Sequence, residues 1–242
     1  MTAANLFWPS DYSGMIVNHL RSNPSLAQGR RVCDIGTGSG ILAATALHLG
    51  AVDVVATDLD VDALTLARQS FARVAPDARF DLRQGSLWEP VAPTASFDLV
   101  LANLPNFPAE VISTDGRRAT WSVGGADGRQ AIDPFLAGLP QRLDFGGTAI
   151  FTQNRCVGLG LTLDKLQEGG LVAEVLDSAL VPIGPEKIGS ISPACTEPSG
   201  IVEVAGFVFL CVDLIAAERI AHPGQDADIA MSDSGPQTGA YV

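Results

Sequence analysis

The 242-residue chain has few charged and aromatic residues and few cysteines. Charged residues make up 17% and aromatic residues 6% of the sequence, whereas hydrophobic residues reach 47%, which excludes a wholly disordered chain. The four cysteines lie far apart without paired spacing, which disfavours zinc sites and disulfide frameworks. Buried thiols are the simpler interpretation.

Positive charge is also scarce. Lys and Arg number 15 against 27 Asp and Glu, so the formal net charge is −12 at pH 7. Such a chain repels phosphate backbones and anionic lipids, so we expect no nucleic-acid partner. The longest strongly apolar stretch, Val204 to Leu214, is too short to cross a bilayer. The N-terminus lacks a basic segment followed by an apolar run. We expect a cytoplasmic protein with no membrane partner and no metal.

From residue 31 to about residue 180, short β-branched runs alternate with helical patterns, as in βαβ units with helices on both faces of a parallel sheet. Six strands are predicted, most of them apolar enough to be buried on both sides: Arg31–Ile35, Val52–Thr57, Arg79–Arg83, Phe97–Ala102, Thr148–Thr152 and Leu171–Leu180. Helices are predicted at Ser10–Arg21, Gly40–Leu49, Val61–Val74 and Gln130–Leu143.

A last apolar run, Ile201–Val212, follows without a helix before it and should pair antiparallel beside its predecessor. The sequence thus predicts an α/β fold with a seven-stranded, doubly wound, mostly parallel sheet and one antiparallel strand near the C-terminus. We divide it into a helical cover segment (residues 1–30), one domain (residues 31–222) and a disordered tail (residues 223–242). Residues 184–200, rich in Gly, Pro and Ser, are a functional loop or merely a flexible one.

The sharpest signal is a glycine-rich segment from Asp34 to Gly40, which reads Asp-Ile-Gly-Thr-Gly-Ser-Gly where the first strand meets the first helix. Glycines there let the backbone turn tightly and approach a ligand, in the crevice where open α/β sheets bind. Ile41 stands where the dinucleotide fingerprint would place its third glycine, and no phosphate-loop lysine follows. We expect a flat, nucleoside-like ligand, and a plain tight connection is the alternative.

An acidic residue, Asp58, directly follows the second predicted strand and lies 22 residues after Gly36. A carboxylate at this place can accept both hydroxyl protons of a ribose. It could instead cap the next helix, but Asp60 is the better N-cap because the helical pattern starts at Val61. Asp58 is therefore expected to face the crevice.

The glycine segment and Asp58 together resemble motif I and the following acidic position of class I S-adenosylmethionine-dependent methyltransferases, which share this Rossmann-like fold. The resemblance implies S-adenosyl-L-methionine as cofactor, with Ser86 and Leu87 at its adenine edge. That family usually has an Asp where Ser86 stands, so the adenine contact should be weaker or rebuilt. Asp34 could also be an ordinary hydrogen-bonding residue at a strand end. The implied cofactor contacts are Asp34, Gly36, Thr37, Gly38, Gly40, Asp58, Leu59, Ser86, Leu87 and Asn103.

The fourth predicted strand runs into Asn103-Leu104-Pro105-Asn106-Phe107-Pro108. Because a residue before proline is held extended, the carbonyls after Asn103 should point in a fixed direction, as acceptors for N–H groups. The segment resembles the Asn-Pro-Pro-Tyr motif of methyltransferases that act on planar nitrogens, and an ordinary proline turn is the alternative. Leu104 replaces the first proline of that motif and Asn106 replaces its aromatic residue, so the resemblance does not identify the substrate.

Two further segments, Trp8–Ser13 and Gly124–Arg129, resemble the Pro-x-Glu-Asp-Thr and Gly-Gly-x-Asp-Gly stretches of the release-factor glutamine N-methyltransferase family (PrmC/HemK-like), in its short branch without the helical N-terminal domain. The similarity spans about residues 7 to 155. It implies in-line methyl transfer, with Asn103, Leu104 and Pro105 as catalytic residues. The implied substrate contacts are Trp8, Tyr12, Asn106, Phe107 and Trp121.

These resemblances favour an N-methyltransferase that acts on an amide, amino or guanidino nitrogen of a small metabolite, a peptide or a protein glutamine. The acidic composition favours a small molecule or short peptide as the methyl acceptor. One alternative is an O- or C-methyltransferase of specialised metabolism, whose proline-rich loop merely shapes an apolar pocket. Another is a non-catalytic protein of the same fold that binds the nucleoside or a partner subunit. His19, His48 and His222 lie outside every motif.

Overall fold

The computed structural model describes residues 9–109, 122–193 and 198–220, in which helices cover both faces of an eight-stranded sheet. The strands are β1 (Arg31–Ile35), β2 (Asp53–Asp58), β3 (Phe80–Gln84), β4 (Phe97–Ala102), β5 (Leu143–Asn154), β6 (Val172–Ile183), β7 (Ile201–Val204) and β8 (Phe207–Glu218). The helices are α1 (Asp11–Ser22), α2 (Ile41–His48), α3 (Val61–Val74), α4 (Ile132–Gly138), α5 (Leu159–Glu168) and α6 (Pro185–Ile188).

The sheet has the strand order β3-β2-β1-β4-β5-β8-β6, with β7 paired to β8 off this path. Neighbouring strands from β3 to β5 are parallel, whereas β8 runs antiparallel to both β5 and β6. The α/β fold class and its antiparallel strand near the C-terminus are confirmed. The eighth strand is a correction, because the predicted strand Ile201–Val212 is interrupted by a turn at Ala205 and Gly206, whose φ angles are 53° and 81°.

Other differences from the predicted elements have local causes. The predicted helix Gln130–Leu143 is reduced to α4, because Pro140 follows its end and Leu143 begins β5. Strands β3 and β6 are the exceptions to burial on both sides, because they form the two edges of the sheet and none of their described side chains is buried. Strands β1 and β4 and helix α3 have the predicted bounds.

The direction of strand succession reverses between β1 and β4, which lie side by side although β2 and β3 follow β1 along the chain. In register, Ile35 at the end of β1 is paired with Thr57 of β2 on one side and with Ala102 of β4 on the other. Such a reversal opens a crevice at the carboxyl ends of the strands. The segments that follow β1, β2 and β4 therefore meet in one place.

Helices α2 and α3 pack closely through Gly40, which has a φ of 79°. A Cβ atom on Gly40 would lie 2.8 Å from both Ala67 Cα and the Phe71 ring.

We expect Gly40→Ala to lower the free energy of unfolding by about 2–4 kcal/mol, because backbone strain adds to overpacking. Gly14→Ala in α1 is the matched control, since its Cβ would meet nothing within 4 Å. Chemical denaturation should show the control stabilised by about 0.5–1 kcal/mol, and equal effects would contradict this packing.

Candidate active site

A cavity of about 530 Å³ opens at the carboxyl ends of β1, β2 and β4. Nine of the predicted site residues lie on its wall: Gly36, Gly38, Asp58, Leu59, Ser86, Leu87, Asn103, Leu104 and Pro105. Ala63, Glu89, Val123, Gln130 and Pro134 also line it and had no predicted role. The crevice predicted from the strand order is thus a cavity of a size typical of small-molecule sites.

The glycine loop that follows β1 turns tightly on one side of this cavity. Gly36 and Gly38 have φ angles of 70° and 54°, in the left-handed region that favours glycine. The Thr37 amide donates to the Thr57 carbonyl at 2.9 Å, which ties the loop to the end of β2. A Cβ atom on Gly36 would lie 3.0 Å from Leu104 Cδ2, so the loop also packs against the segment after β4.

Asp34 is fully buried at the base of the glycine loop and does not line the cavity. Its Oδ2 atom accepts from Thr37 Oγ1 at 2.7 Å and from the Ala43 amide at 3.1 Å. Its other oxygen, Oδ1, is buried and accepts no hydrogen bond within the described residues. Burial raises the pKa of Asp34 from 3.8 to about 7, although these two hydrogen bonds lower it.

The raised pKa of Asp34 gives a pH dependence with a definite sign. The native state binds this proton more tightly than the unfolded chain, so stability falls as pH rises from about 4 to about 7. We compare the free energy of unfolding of Asp34→Asn with that of the unmodified protein. We expect this difference to favour the variant by roughly 2–3 kcal/mol more at pH 8 than at pH 5. Denaturation of both proteins without cofactor at several pH values measures the difference. A difference that did not change with pH would contradict the assignment.

Asp58 presents its carboxylate to the cavity at the end of β2. Its Oδ2 atom accepts from the Gly38 amide at 2.8 Å, and its Oδ1 atom accepts from the Asp60 amide at 2.9 Å. Burial raises its pKa, against the lowering effect of these bonds. Each oxygen keeps acceptor capacity for one more donor. As predicted, Asp60 caps α3 and accepts from the Asp62 amide, which leaves Asp58 on the cavity wall.

Asn103 lies on the opposite part of the wall, directly after β4. Its Nδ2 atom donates to Ser13 Oγ at 2.9 Å and to Ser10 Oγ at 3.3 Å, and its Oδ1 atom accepts from Thr152 Oγ1 at 3.0 Å. The first turn of α1 and the end of β5 therefore hold the amide in one orientation. The oxygen retains a second lone pair. Sequence reasoning gave no role to Ser13, although it ends the Trp8–Ser13 segment, and it missed Thr152, which belongs to no motif.

Asn106 has a different position from the one predicted for a substrate contact. It is 2% exposed and does not line the cavity. Its side chain donates to the Leu104 carbonyl at 2.9 Å and accepts from the Asn154 amide at 3.0 Å. Asn106 therefore fixes the segment after β4 against the end of β5, and its burial leaves no room for substrate.

Two further predicted substrate contacts, Phe107 and Tyr12, are not on the cavity wall either. Phe107 is 7% exposed and packs in the apolar core, and Tyr12 donates its hydroxyl proton to Asn154 Oδ1 at 2.8 Å. Burial raises the pKa of Tyr12. Trp8 and Trp121 lie outside the described residues. Thr37 and Gly40, predicted at the cofactor, shape the glycine loop from outside the cavity.

The Gly-Gly-x-Asp-Gly stretch packs against the segment after β4. A Cβ atom on Gly124 would lie 2.7 Å from Asn106 Cα, and one on Gly128 would lie 2.8 Å from the Asn106 carbonyl oxygen. The Phe107 amide donates to the Ser122 carbonyl at 2.8 Å. Residues 122–128 therefore support the loop that carries Asn103 and Leu104, although the two segments are separate in the sequence.

Comparison with known proteins identifies the family. Residues 16–113 match the family model for ribosomal protein L11 methyltransferase (PrmA). A protein N5-glutamine methyltransferase of Methanocaldococcus jannaschii is 30% identical over 156 residues, which cover 64% of this chain and 77% of that protein. The chain belongs to the class I S-adenosylmethionine-dependent methyltransferases. The methyltransferase is also 33% identical to a release factor glutamine methyltransferase of Rhodopirellula baltica, over 57% of this chain and 49% of that protein.

Solved structures confirm that the methyltransferase has the fold of this class. The E. cuniculi Mtq2–Trm112 complex matches with a TM-score of 0.56 and 20% identity, over 89% of this chain and 99% of that one. The T. thermophilus 16S rRNA methyltransferase RsmC, in complex with AdoMet and guanosine, matches with a TM-score of 0.53 and 18% identity, over 88% of this chain and 44% of that one.

The cofactor of the methyltransferase is S-adenosylmethionine, and the residues present fit it. The cavity size suits a nucleoside with an amino-acid arm. The Asp58 carboxylate on the cavity wall keeps acceptor capacity that suits the hydroxyl groups of a ribose. Within the described ranges, no helix is long and apolar enough to span a membrane, and no group of three or more His, Cys, Asp or Glu side chains could hold a metal.

Proposed function

We propose that this methyltransferase transfers a methyl group to the side-chain amide nitrogen of glutamine in a protein or peptide. The observation that carries the proposal is the position of Asn103 on the cavity wall, with its amide held by Ser13 and Thr152. The relatives named as glutamine methyltransferases support this choice. They include a ribosomal protein uL3 glutamine methyltransferase of Bordetella pertussis, 34% identical over 131 residues, 51% of this chain and 43% of that protein.

We assign the cofactor contacts by position in the cavity. The glycine loop, which Asp34 supports from beneath, would hold the methionine part, Asp58 the ribose, and the Leu59 and Leu87 side chains the two faces of the adenine. When bound, S-adenosylmethionine supplies a methyl group on a positively charged sulfur, already activated for direct displacement.

Asn103 and Leu104 would then orient the methyl acceptor. An amide nitrogen is a poor nucleophile because its lone pair is delocalised, so the protein must aim it along the line of attack. Asn103 Oδ1 and the Leu104 carbonyl each have a free lone pair beside their internal bonds and can accept the two N–H groups. These bonds strengthen as positive charge develops on nitrogen, so they favour the transition state over the ground state.

The atoms and electrons of the transfer balance without a further reagent. The carbon–sulfur bond breaks with its electron pair going to sulfur, and the nitrogen lone pair forms the new carbon–nitrogen bond. One N–H proton then leaves to water. Apart from the carboxylates of Asp58, Asp60 and Glu89, the described residues of the cavity wall include no base that could take this proton.

An exocyclic amino group of a base is the second candidate acceptor. A tRNA1(Val) (adenine(37)-N6)-methyltransferase of Aeromonas salmonicida is 32% identical over 138 residues, which cover 54% of this chain and 58% of that protein. The net charge of −12 weighs against a nucleic-acid acceptor.

The test uses S-adenosylmethionine with a deuterated methyl group. We would incubate the purified protein with release factor, ribosomal protein uL3 and glutamine-containing peptides, with tRNA in a parallel reaction, and locate the label by mass spectrometry. Label on a glutamine side chain, absent when that glutamine is changed to asparagine, supports the proposal. Label confined to tRNA, or to oxygen or carbon atoms, would overturn it.

A further inference from the structure

We propose that Glu89 is the residue that recognises the 6-amino group of the cofactor's adenine. Glu89 lies on the wall of the cavity, in the same turn as Ser86 and Leu87. Its Oε2 atom accepts from the Ser86 amide at 3.2 Å, and its own amide donates to the Ser86 carbonyl at 2.9 Å. The proposal rests on the cofactor site alone and does not depend on which acceptor is methylated.

The turn that carries Glu89 is anchored on both sides. Trp88 is 9% exposed, stacks on Phe135 with ring centroids 5.7 Å apart, and donates from Nε1 to the Phe135 carbonyl at 2.9 Å. A Cβ atom on Gly85 would lie 2.9 Å from Pro90, so the two ends of the turn are in close contact. The packing of its neighbours therefore fixes the backbone position of Glu89, although its own side chain is exposed.

A carboxylate at this place supplies what Ser86 lacks. A serine hydroxyl is a neutral acceptor, whereas a carboxylate forms a stronger, charge-assisted hydrogen bond with an amino group. Two other carboxylates on the cavity wall lie elsewhere in the chain, because Asp58 ends β2, where it is proposed to bind the ribose, and Asp60 caps α3. Glu89 is the remaining carboxylate among the described wall residues.

The chemistry predicts discrimination between adenine and hypoxanthine. An adenine presents two N–H donors at position 6, whereas hypoxanthine presents a carbonyl oxygen that a carboxylate repels. A site built to bond an amino group rejects the analogue that lacks it far more strongly than an apolar pocket would. A merely structural Glu89 would change the affinity for both ligands equally and leave their ratio unchanged.

The experiment measures the affinities of S-adenosylhomocysteine and S-inosylhomocysteine by calorimetry, so it needs no methyl acceptor. We expect the unmodified protein to prefer the adenosyl ligand by about 10- to 100-fold. Glu89→Ala should reduce this preference to about threefold or less, and Glu89→Gln should do so too, since its amide can also donate to the carbonyl of hypoxanthine. Glu174→Gln, on the exposed side of β6, is the matched control and should keep the full preference.

Two results would overturn the proposal. One is a full preference for the adenosyl ligand in both Glu89 variants. The other is loss of the preference in Ser86→Ala with Glu89 intact, which would place recognition on the serine hydroxyl. Thermal denaturation of each variant checks that it is folded. If no variant, nor the unmodified protein, bound either ligand, the cofactor site itself would be wrong, whereas normal binding without glutamine methylation would affect only the proposed acceptor.

Discussion

Replacing Asn103 with alanine is expected to lower the rate of methyl transfer by about 100- to 1,000-fold, with little change in affinity for S-adenosylmethionine. The reason is that Asn103 Oδ1, held by Thr152 Oγ1 at 3.0 Å, would accept an N–H of the attacking nitrogen most strongly in the transition state. Loss of one such preorganised partner typically costs about 2.7–4 kcal/mol of barrier. Single-turnover rates with a saturating cofactor measure the effect.

The control for this prediction is Asn18→Ala, an asparagine on the exposed side of α1 outside the cavity. It should leave the rate within about twofold, since an exposed side chain away from the site contributes little. A second variant, Thr152→Val, keeps Asn103 but removes the hydroxyl that orients it and should give an intermediate loss. Unchanged turnover in Asn103→Ala would favour methylation of oxygen or carbon, in a pocket that the proline segment merely shapes.

Replacing Asp58 with alanine is expected to weaken S-adenosylmethionine binding by at least about 100-fold. The change removes the carboxylate proposed for the two ribose hydroxyls, and a hydrogen bond to a charged group contributes about 1.5–3 kcal/mol. It also releases the Gly38 amide, now bonded at 2.8 Å, and thereby loosens the glycine loop. Titration calorimetry with the cofactor and with S-adenosylhomocysteine measures both affinities.

Asp53→Ala is the matched control, because Asp53 occupies the opposite end of β2 and is 3.9 Å from Arg31 Nε. This exposed pair contributes about 0–1 kcal/mol to stability, so the control should bind the cofactor normally. Asp58→Asn should fall between the two variants, since it retains an acceptor oxygen without the charge. Normal binding in Asp58→Ala, or binding of a pyridine dinucleotide instead, would remove Asp58 from the ribose site.

The sequence by itself determined the bounds of several helices and strands and the place of the crevice in the sheet. The bounds of β1, β4 and α3 follow from apolar runs and from the Asp60 cap, which are signals within a few residues of each other. The glycine loop and Asp58 could be assigned together because parallel strands bring their carboxyl ends to one edge of a sheet.

Only the tertiary structure decided which side chains reach the cavity and which support it. Asn106 and Asn103 are three residues apart in one motif, yet Asn106 is buried against the end of β5 and Asn103 lies on the cavity wall. Ser13 and Thr152 hold Asn103 through contacts between separate elements, and the role proposed for Glu89 depends on a turn that is anchored in the core. Periodicity and motif spacing describe only neighbours along the chain, whereas these roles depend on packing between distant segments.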